Sequence, residues 1–430
     1  MNTTKLMNKN FSLVALCNAL ALLGNMTLSF ALAYYVRDMT GSETMFGIAL
    51  ATPYLSLVIM APISGIIADR IKKQKIMFWL DISVFASIVL YLVIEGIFTA
   101  TLPIIFVKLL VINAAEGGYL TVTGSAVPLI VPTEKLALGN AIMGMVQALV
   151  GALGQALGAV LYGSFGLMPI LIAFAVVYGV LAVLDLFIRV PYKKQASKAN
   201  IAKTVKADMT QAFRFMVKDK PIFLRFAGII FVFTGTVICL FLVGTPILIT
   251  SVLQMDLGLV GISQIFMGMG ALGGGIVAGV LGSKLTIQKA PLLLMIISVL
   301  PLPIGLAILF GIPTFAVFVI ITAASALIMF VNTLFAITAM TFLQQETPME
   351  VLGKVMSLIS ILPLLAQAIG QFVFGMLFDI FATSTWIVIF IAVGLSVMAT
   401  IYSHTLLKKG KMHSMRGGNM GENAKAVVLQ

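Results

Sequence analysis

Twelve apolar runs, each long enough to cross a lipid bilayer, leave this chain little choice but to fold in a membrane. Their approximate limits are 11–36, 46–68, 76–98, 102–127, 138–163, 167–189, 222–250, 257–282, 290–310, 313–342, 352–378 and 383–406. A bilayer core takes roughly 20 apolar residues per helix. The runs are continuous, whereas barrel strands alternate between lipid-facing and lumen-facing residues. The reading is therefore an all-α polytopic membrane protein with twelve transmembrane helices. Composition agrees: 60% of the residues are apolar and only 10% are charged, against about 25% charged in ordinary soluble domains. That excludes a cytosolic enzyme, a disordered chain and a nucleic-acid binder. The first run exceeds the ~7–15 apolar residues of a signal-peptide core, and reads as a retained helix. Cys17 and Cys239 both lie inside apolar runs and read as small core residues.

The net charge of +12 would suggest an anionic partner in a soluble protein. Here the positions of the charges matter more. Of 27 lysines and arginines, 25 fall in or beside the alternate loops that share a side with the amino terminus; Arg37 and Lys108 lie elsewhere. Basic residues stay on the cytoplasmic side, so both termini are expected in the cytoplasm, as in a multi-pass protein of a bacterial inner membrane. Most connections are short. Residues 190–221 form a polar, basic stretch midway, read as a cytoplasmic linker with a short amphipathic helix near Val205–Val217. The expected division is a six-helix bundle over 1–189, the linker, a second bundle over 222–406 and a basic cytoplasmic tail over 407–430.

An internal repeat supports that division. A shift of 216 residues brings Pro132, Glu134, Leu136, Gly154 and Gln155 onto Pro348, Glu350, Leu352, Gly370 and Gln371 without a gap. Helix 5 thus corresponds to helix 11, and the halves are parallel six-helix repeats, an arrangement found in alternating-access carriers.

The loop after helix 2 reads Gly65-Ile-Ile-Ala-Asp69-Arg70-Ile-Lys72-Lys73. It resembles the G-x-x-x-D-R-x-x-[RK] signature of the major facilitator superfamily, and the resemblance extends over the whole chain. Within that superfamily the chain looks most like the macrolide-efflux and siderophore-exporter branch of drug:proton antiporters. Lys72 stands where glycine is usual, Asp81 opens helix 3 after an apolar quartet, and helix 4 runs into Ala126-Val-Pro128-Leu-Ile-Val-Pro132-Thr-Glu134. The resemblance implies that the start of helix 11, near Gly353, docks on Asp69, with Gly65, Arg70 and Lys73 completing a cytoplasmic gate. Asp69 ends a helix, where the dipole disfavours an anion, so some positive group must compensate. The resemblance also implies that helices 1, 4, 7 and 10 line a central cavity, making Asn25, Asn113, Tyr119 and Asn332 substrate-cavity candidates. Asparagines there serve either substrate or neighbouring helices.

Helices 5 and 8 are rich in glycine, and small residues let helices approach closely in lipid. Gly154 and Gly158 are expected to pack against Gly270 and Gly274. Gly154-Gln155-x-x-Gly158 resembles the G-P-x-x-G antiporter signature, with glutamine for proline. Intramembrane charges are costly and so are functional candidates. Asp185 and Arg189, four apart, read as a structural ion pair. Asp81 lies near the basic loop and reads as a partner of Arg70 or Lys73, or as a proton carrier. Lys108 is placed to snorkel outward. Glu116 falls at mid-bilayer without a basic neighbour, and Ile112 stands where the family usually carries an arginine. Glu116 is the first candidate for proton coupling and Asp81 the second; Glu116 reads otherwise as a buried partner of Lys108 or another helix, or as a neutral packed side chain.

The expectation is a secondary active transporter, exporting an amphipathic small molecule against inward protons by alternating access, as a monomer. It needs no cofactor beyond the proton-motive force, no metal and no catalytic residue. The alternative is uptake or symport of a nutrient. An intramembrane lipid-modifying enzyme is a remote third, lacking any His/Asp cluster or phosphate-binding loop.

Overall fold

The computed structural model describes residues 9–97, 101–191, 209–281 and 286–405, without the side chains of 61–62, 65–66, 68–70, 133 and 137. The protein is helical throughout these residues, with no strand among them, and twelve of its helices are long and apolar enough to span a bilayer. They are α1 (Lys9–Thr40), α2 (Glu43–Arg70), α3 (Lys73–Ile97), α4 (Leu102–Ile130), α5 (Leu136–Phe165) and α6 (Leu167–Asp185). After a helical segment at 209–219 come α7 (Pro221–Val252), α8 (Leu257–Leu281), α9 (Ile287–Leu309), α10 (Thr314–Glu346), α11 (Met349–Ile380) and α12 (Trp386–Thr405). Residues 192–208 of the expected linker and the tail 407–430 lie outside the described residues.

Local chemistry sets the helix ends. Three connections turn on glycines in the left-handed region: Gly41 between α1 and α2, Gly166 between α5 and α6, and Gly311 between α9 and α10. A side chain would be strained at each. Ser42 then caps α2, its hydroxyl accepting from the Met45 amide at 3.3 Å, as expected of an N-cap serine. Prolines begin α7 and both pieces of α9, whose helix is interrupted at Leu300–Pro301; a first-turn proline leaves no intrahelical donor missing. α7 is also irregular, with π-turns at Thr234–Ile238 and Leu248–Val252. Large apolar side chains such as Trp79, Ile276, Val280 and Phe310 face outward, more than 60% exposed. Such a surface is stable only against lipid.

The helices form two bundles of six. Within the first, α1 packs on α2, α4, α5 and α6, and α3 packs on α4 and α6. Within the second, α10 packs on α8 and α9, and α11 on α7; α12 meets α9 through a Ser298–Thr400 hydroxyl pair at 3.1 Å. The bundles meet along α2–α11 and α5–α8. Two faces of the molecule can be distinguished. The loop face carries the starts of α1, α3, α5, α9 and α11; the far face carries the turns at Gly41, Gly166 and Gly311.

Glycine placement in these seams corrects one expectation. α5 does pack on α8, but through Ala152, Ala156 and Val160 against Gly261 and Gly268. Gly154 and Gly158 point at α1 instead: a Cβ at Gly154 would lie 2.6 Å from Met26 Cβ, and one at Gly158 would lie 2.8 Å from Phe30 Cβ. Gly270 and Gly274 point at α10, against Ala326 and Phe330. The reason is helical phase. Residues two apart are separated by about 200° around a helix, so 152/156/160 and 154/158 occupy opposite faces, as do 261/268 and 270/274.

Candidate functional site

Polar groups concentrate in two places, a latch at the far face and a buried cluster inside the first bundle. At the far face, Arg37 at the end of α1 donates Nε to Glu43 Oε1 at 3.0 Å. It also donates to Thr250 Oγ1 at 2.7 Å and to Ser251 Oγ, both on α7. Ser251 in turn donates to Glu43. One guanidinium thus joins both bundles. Beside it, Asp379 at the end of α11 sits over the start of α2. Its carboxylate accepts from the Glu43 and Thr44 amides at 2.8 Å each, from Ser42 Oγ at 2.7 Å and from Thr44 Oγ1 at 2.5 Å. An anion there satisfies free helix-start amides and complements the helix dipole.

Close packing continues the seam inward from this latch. Gly47 and Gly375 leave no room for a Cβ between α2 and α11, and Gly163 abuts Leu257 where α5 meets α8. Toward the loop face the same helices open. Gly144, Gly279 and Gly353 have nothing within 4 Å of where a Cβ would stand, and Ser357 and Ser360 of α11 are exposed, each hydrogen-bonded only to its own helix. Among the described residues, the bundles close at the far face and show no such close approach toward the loop face. Gly65, Asp69 and Arg70 of the expected gate lie outside the described residues as to side chains. Lys73 is described, and is buried.

The second concentration lies in the first bundle, between its middle and the loop face. Asp81 (α3), Glu116 and Tyr119 (α4), Tyr178 (α6) and Ala21 (α1) line a cavity of about 10 Å³, close to the least space that holds one water. Glu116 is the middle residue of α4, buried, and makes no hydrogen bond among the described residues. Asp185, the last residue of α6, is fully buried. Its Oδ1 accepts from the Tyr119 hydroxyl at 3.1 Å, and its carboxyl comes within hydrogen-bond reach of Asp81. Tyr178 donates to the Ala21 carbonyl at 3.0 Å.

Several expectations change here. Asp185 and Arg189 do not form an ion pair. α6 ends at Asp185, so the helical spacing that would have aligned them is lost, and Arg189 is exposed with its amide donating to Asn10 Oδ1 at 3.1 Å. Asp81 lies beside another acid, Asp185, while Arg70, one of its expected partners, has its side chain outside the described residues. Lys108 does not snorkel: it is 3% exposed, and its ammonium lies 4.1 Å from the centre of the Tyr91 ring, a cation–π contact. Asn25 and Asn113 are buried against each other, with Asn25 Nδ2 donating to Asn113 Oδ1 at 3.3 Å and Ser29 Oγ donating to the same oxygen at 3.2 Å. In this conformation they hold α1 to α4. Tyr119 serves Asp185. Asn332 is half-buried, with no side-chain hydrogen bond among the described residues, and is the one amide of the three left to meet a ligand. The far-face latch was missed by the sequence reading, although Arg37, one of two basic residues off the loop face, was its visible sign.

Comparison with known proteins is consistent with this geometry. The family model of the Major Facilitator Superfamily matches residues 14–362. Macrolide efflux protein A of Streptococcus pyogenes is 23% identical over 381 residues, covering 86% of this chain and 89% of that protein. Among solved structures, the nucleoside transporter NupG superposes with a TM-score of 0.70 at 15% identity, covering 93% of this chain and all of that one. A bacterial homologue of the human lysosomal transporter Spinster, solved inward-facing and unoccupied, superposes with a TM-score of 0.68 at 15% identity, covering 92% and 96%. These structural likenesses concern the fold.

Proposed function

Because the chain belongs to the major facilitator superfamily, and is a membrane transporter rather than an enzyme, we propose that it exports an amphipathic small molecule, drug-like or siderophore-like, in exchange for inward-moving protons. The observation that carries export is the similarity to macrolide efflux protein A along most of both chains. The seam geometry supports alternating access, since a carrier closed at one face and parted at the other is one of the two end states such a cycle needs. On the orientation that the basic residues favour, both termini are cytoplasmic, in a bacterial inner membrane, and the opening faces the cytoplasm. The protein works as a monomer. Glu116 is the coupling group: a mid-span carboxyl without a hydrogen-bond partner, beside a water-sized cavity, is placed to load and unload a proton. The partly exposed Asn332 meets the substrate.

A deletion strain, screened for susceptibility and accumulation against a panel of macrolides, other amphipathic drugs and siderophores, tests the reading. Loss of the transporter should raise accumulation of at least one compound class, and a protonophore should abolish the difference. Uptake of that compound by right-side-out cells, or export that a protonophore leaves unchanged, would overturn it. Glu116→Gln should end proton-driven gradients while sparing substrate exchange, which moves no net proton; a protonophore-sensitive gradient in this variant would move coupling elsewhere.

A further inference from the structure

Three carboxyls gather inside the first bundle, and among the described residues no ion pair joins them to a base. Asp81 on α3 faces Asp185 on α6, and Glu116 on α4 borders the same small cavity as Asp81. One oxygen of each lies unpartnered in the interior: Asp81 Oδ2, Asp185 Oδ2 and Glu116 Oε1. The donors nearby are few. Tyr119 gives its hydroxyl to Asp185, the Cys17 thiol of α1 lies beside the same carboxyl, and Tyr178 has already given its hydroxyl to a carbonyl. Asn18 Oδ1 accepts from Thr123 at 3.2 Å while its Nδ2 remains unpartnered. Lys73 is two turns back along α3, Lys108 is two turns away along α4 upon Tyr91, and Arg189 is exposed beyond the end of α6.

Two ionised carboxylates side by side, at 2% and 0% exposure, would repel in a medium that screens poorly, with no ion pair to offset them among the described residues. Such a pair is stable when it holds one proton between its facing oxygens, so that one acid donates to the other. A metal ion is a poorer occupant, since no group of three or more His, Cys, Asp or Glu side chains among the described residues is arranged to hold one. We infer that Asp81 and Asp185 form a proton-binding pair that takes up one shared proton inside the first bundle, separate from Glu116. This deepens the proton-coupled reading and rests on it for its place in the transport cycle, though not for the chemistry of the pair.

Position gives the pair a consequence for mechanism. α3 and α6 make their main contacts within the first bundle, so this proton does not sit in the seam between bundles. It acts through Tyr119 and α4. Substrate and proton therefore need not compete for one site, and occupancy of the pair changes how α4 packs against α3 and α6.

Infrared difference spectroscopy of the purified full-length protein in lipid, stepped between alkaline and acidic buffer, tests this without any substrate. The wild type should gain one carboxylic-acid carbonyl band that Asp81→Asn and Asp185→Asn each abolish. Glu116→Gln should leave that band in place, and Tyr119→Phe should shift it without removing it. Loss of two different bands in the two asparagine variants, or of none, overturns the shared proton. Replacing potassium by sodium at constant pH should change nothing, and a band removed by sodium would make the site a cation site instead. Should an asparagine variant fail to fold, aspartate-selective carbon-13 labelling of the wild type identifies the band directly. The band appearing in a protein whose transport ignores the pH gradient would sink the coupling reading and leave the pair standing.

Discussion

A single carboxylate at the end of α11 illustrates how much one residue can hold. Asp379 accepts four hydrogen bonds from the first residues of α2, two of them from amides that no helical carbonyl can reach. Asp379→Asn keeps the shape and removes the charge. At this water-exposed site the loss should be about 1 kcal/mol, roughly fivefold in the balance between closed and open far face. Cysteine accessibility at the far-face turn around Gly166 should rise in the variant, with expression unchanged; equal labelling would show that the contact is incidental. Lys108 makes the second case. With its ammonium on the Tyr91 ring and its stem buried, Lys108→Met should fold as well as the wild type, because an apolar chain of similar length replaces an amine that has no hydrogen bond. Thermal unfolding in detergent checks this, and a large drop would mean that the charge itself matters. Neither residue's role was legible in advance. A sequence shows that Arg37, Lys108 and Asp379 are stranded charges, but not which neighbours the fold brings to them, some of them more than two hundred positions away along the chain.

Among elements, the seams separate into those that hold a bundle together and those that must open and close. Gly274 lies between α8 and α10 of one bundle, whereas Gly261 and Gly268 lie between α8 and α5 of different bundles. Leucine at these positions should act differently. Gly274→Leu forces apart helices that never separate, and should lower expression and folding. Gly261→Leu or Gly268→Leu should leave folding intact while preventing closure at the far face and stopping transport. Gly279→Leu, in open space, is the tolerated control. Fluorescence-detected gel filtration together with transport would sort the four, and a common phenotype would refute the distinction. The spans and the helix pairing α5–α8 were legible, because hydropathy and glycine content report on lipid contact and close approach. Which glycine meets which neighbour was not. Two stripes about 200° apart are equally small, and only the tertiary arrangement assigns them. The Asp185–Arg189 reading failed for a related reason: periodicity implied another turn of α6, and the chain ends the helix one turn sooner.

On the scale of the molecule, the two bundles meet at a polar latch on the far face. Spin labels placed as a pair across the far face, at positions 38 and 254, should report one short distance in the unliganded protein. A pair across the loop face, at positions 138 and 276, should report a longer and broader one. Arg37→Ala combined with Asp379→Asn should reverse the two distributions in part, and an unchanged far-face distance would place closure in the glycine seams alone. The two seams differ in kind. α2–α11 ends in charge and hydroxyls, while α5–α8 ends in Gly163 against Leu257. The polar end lies at the water boundary, where dissolved ions weaken contacts between charges. In the proposed alternating-access cycle each turnover must break and remake it, so the salinity of the medium bathing that face becomes a control on cycling speed. Dilute surroundings would slow release of the latch, and brine would hasten it, with no change in what the carrier recognises.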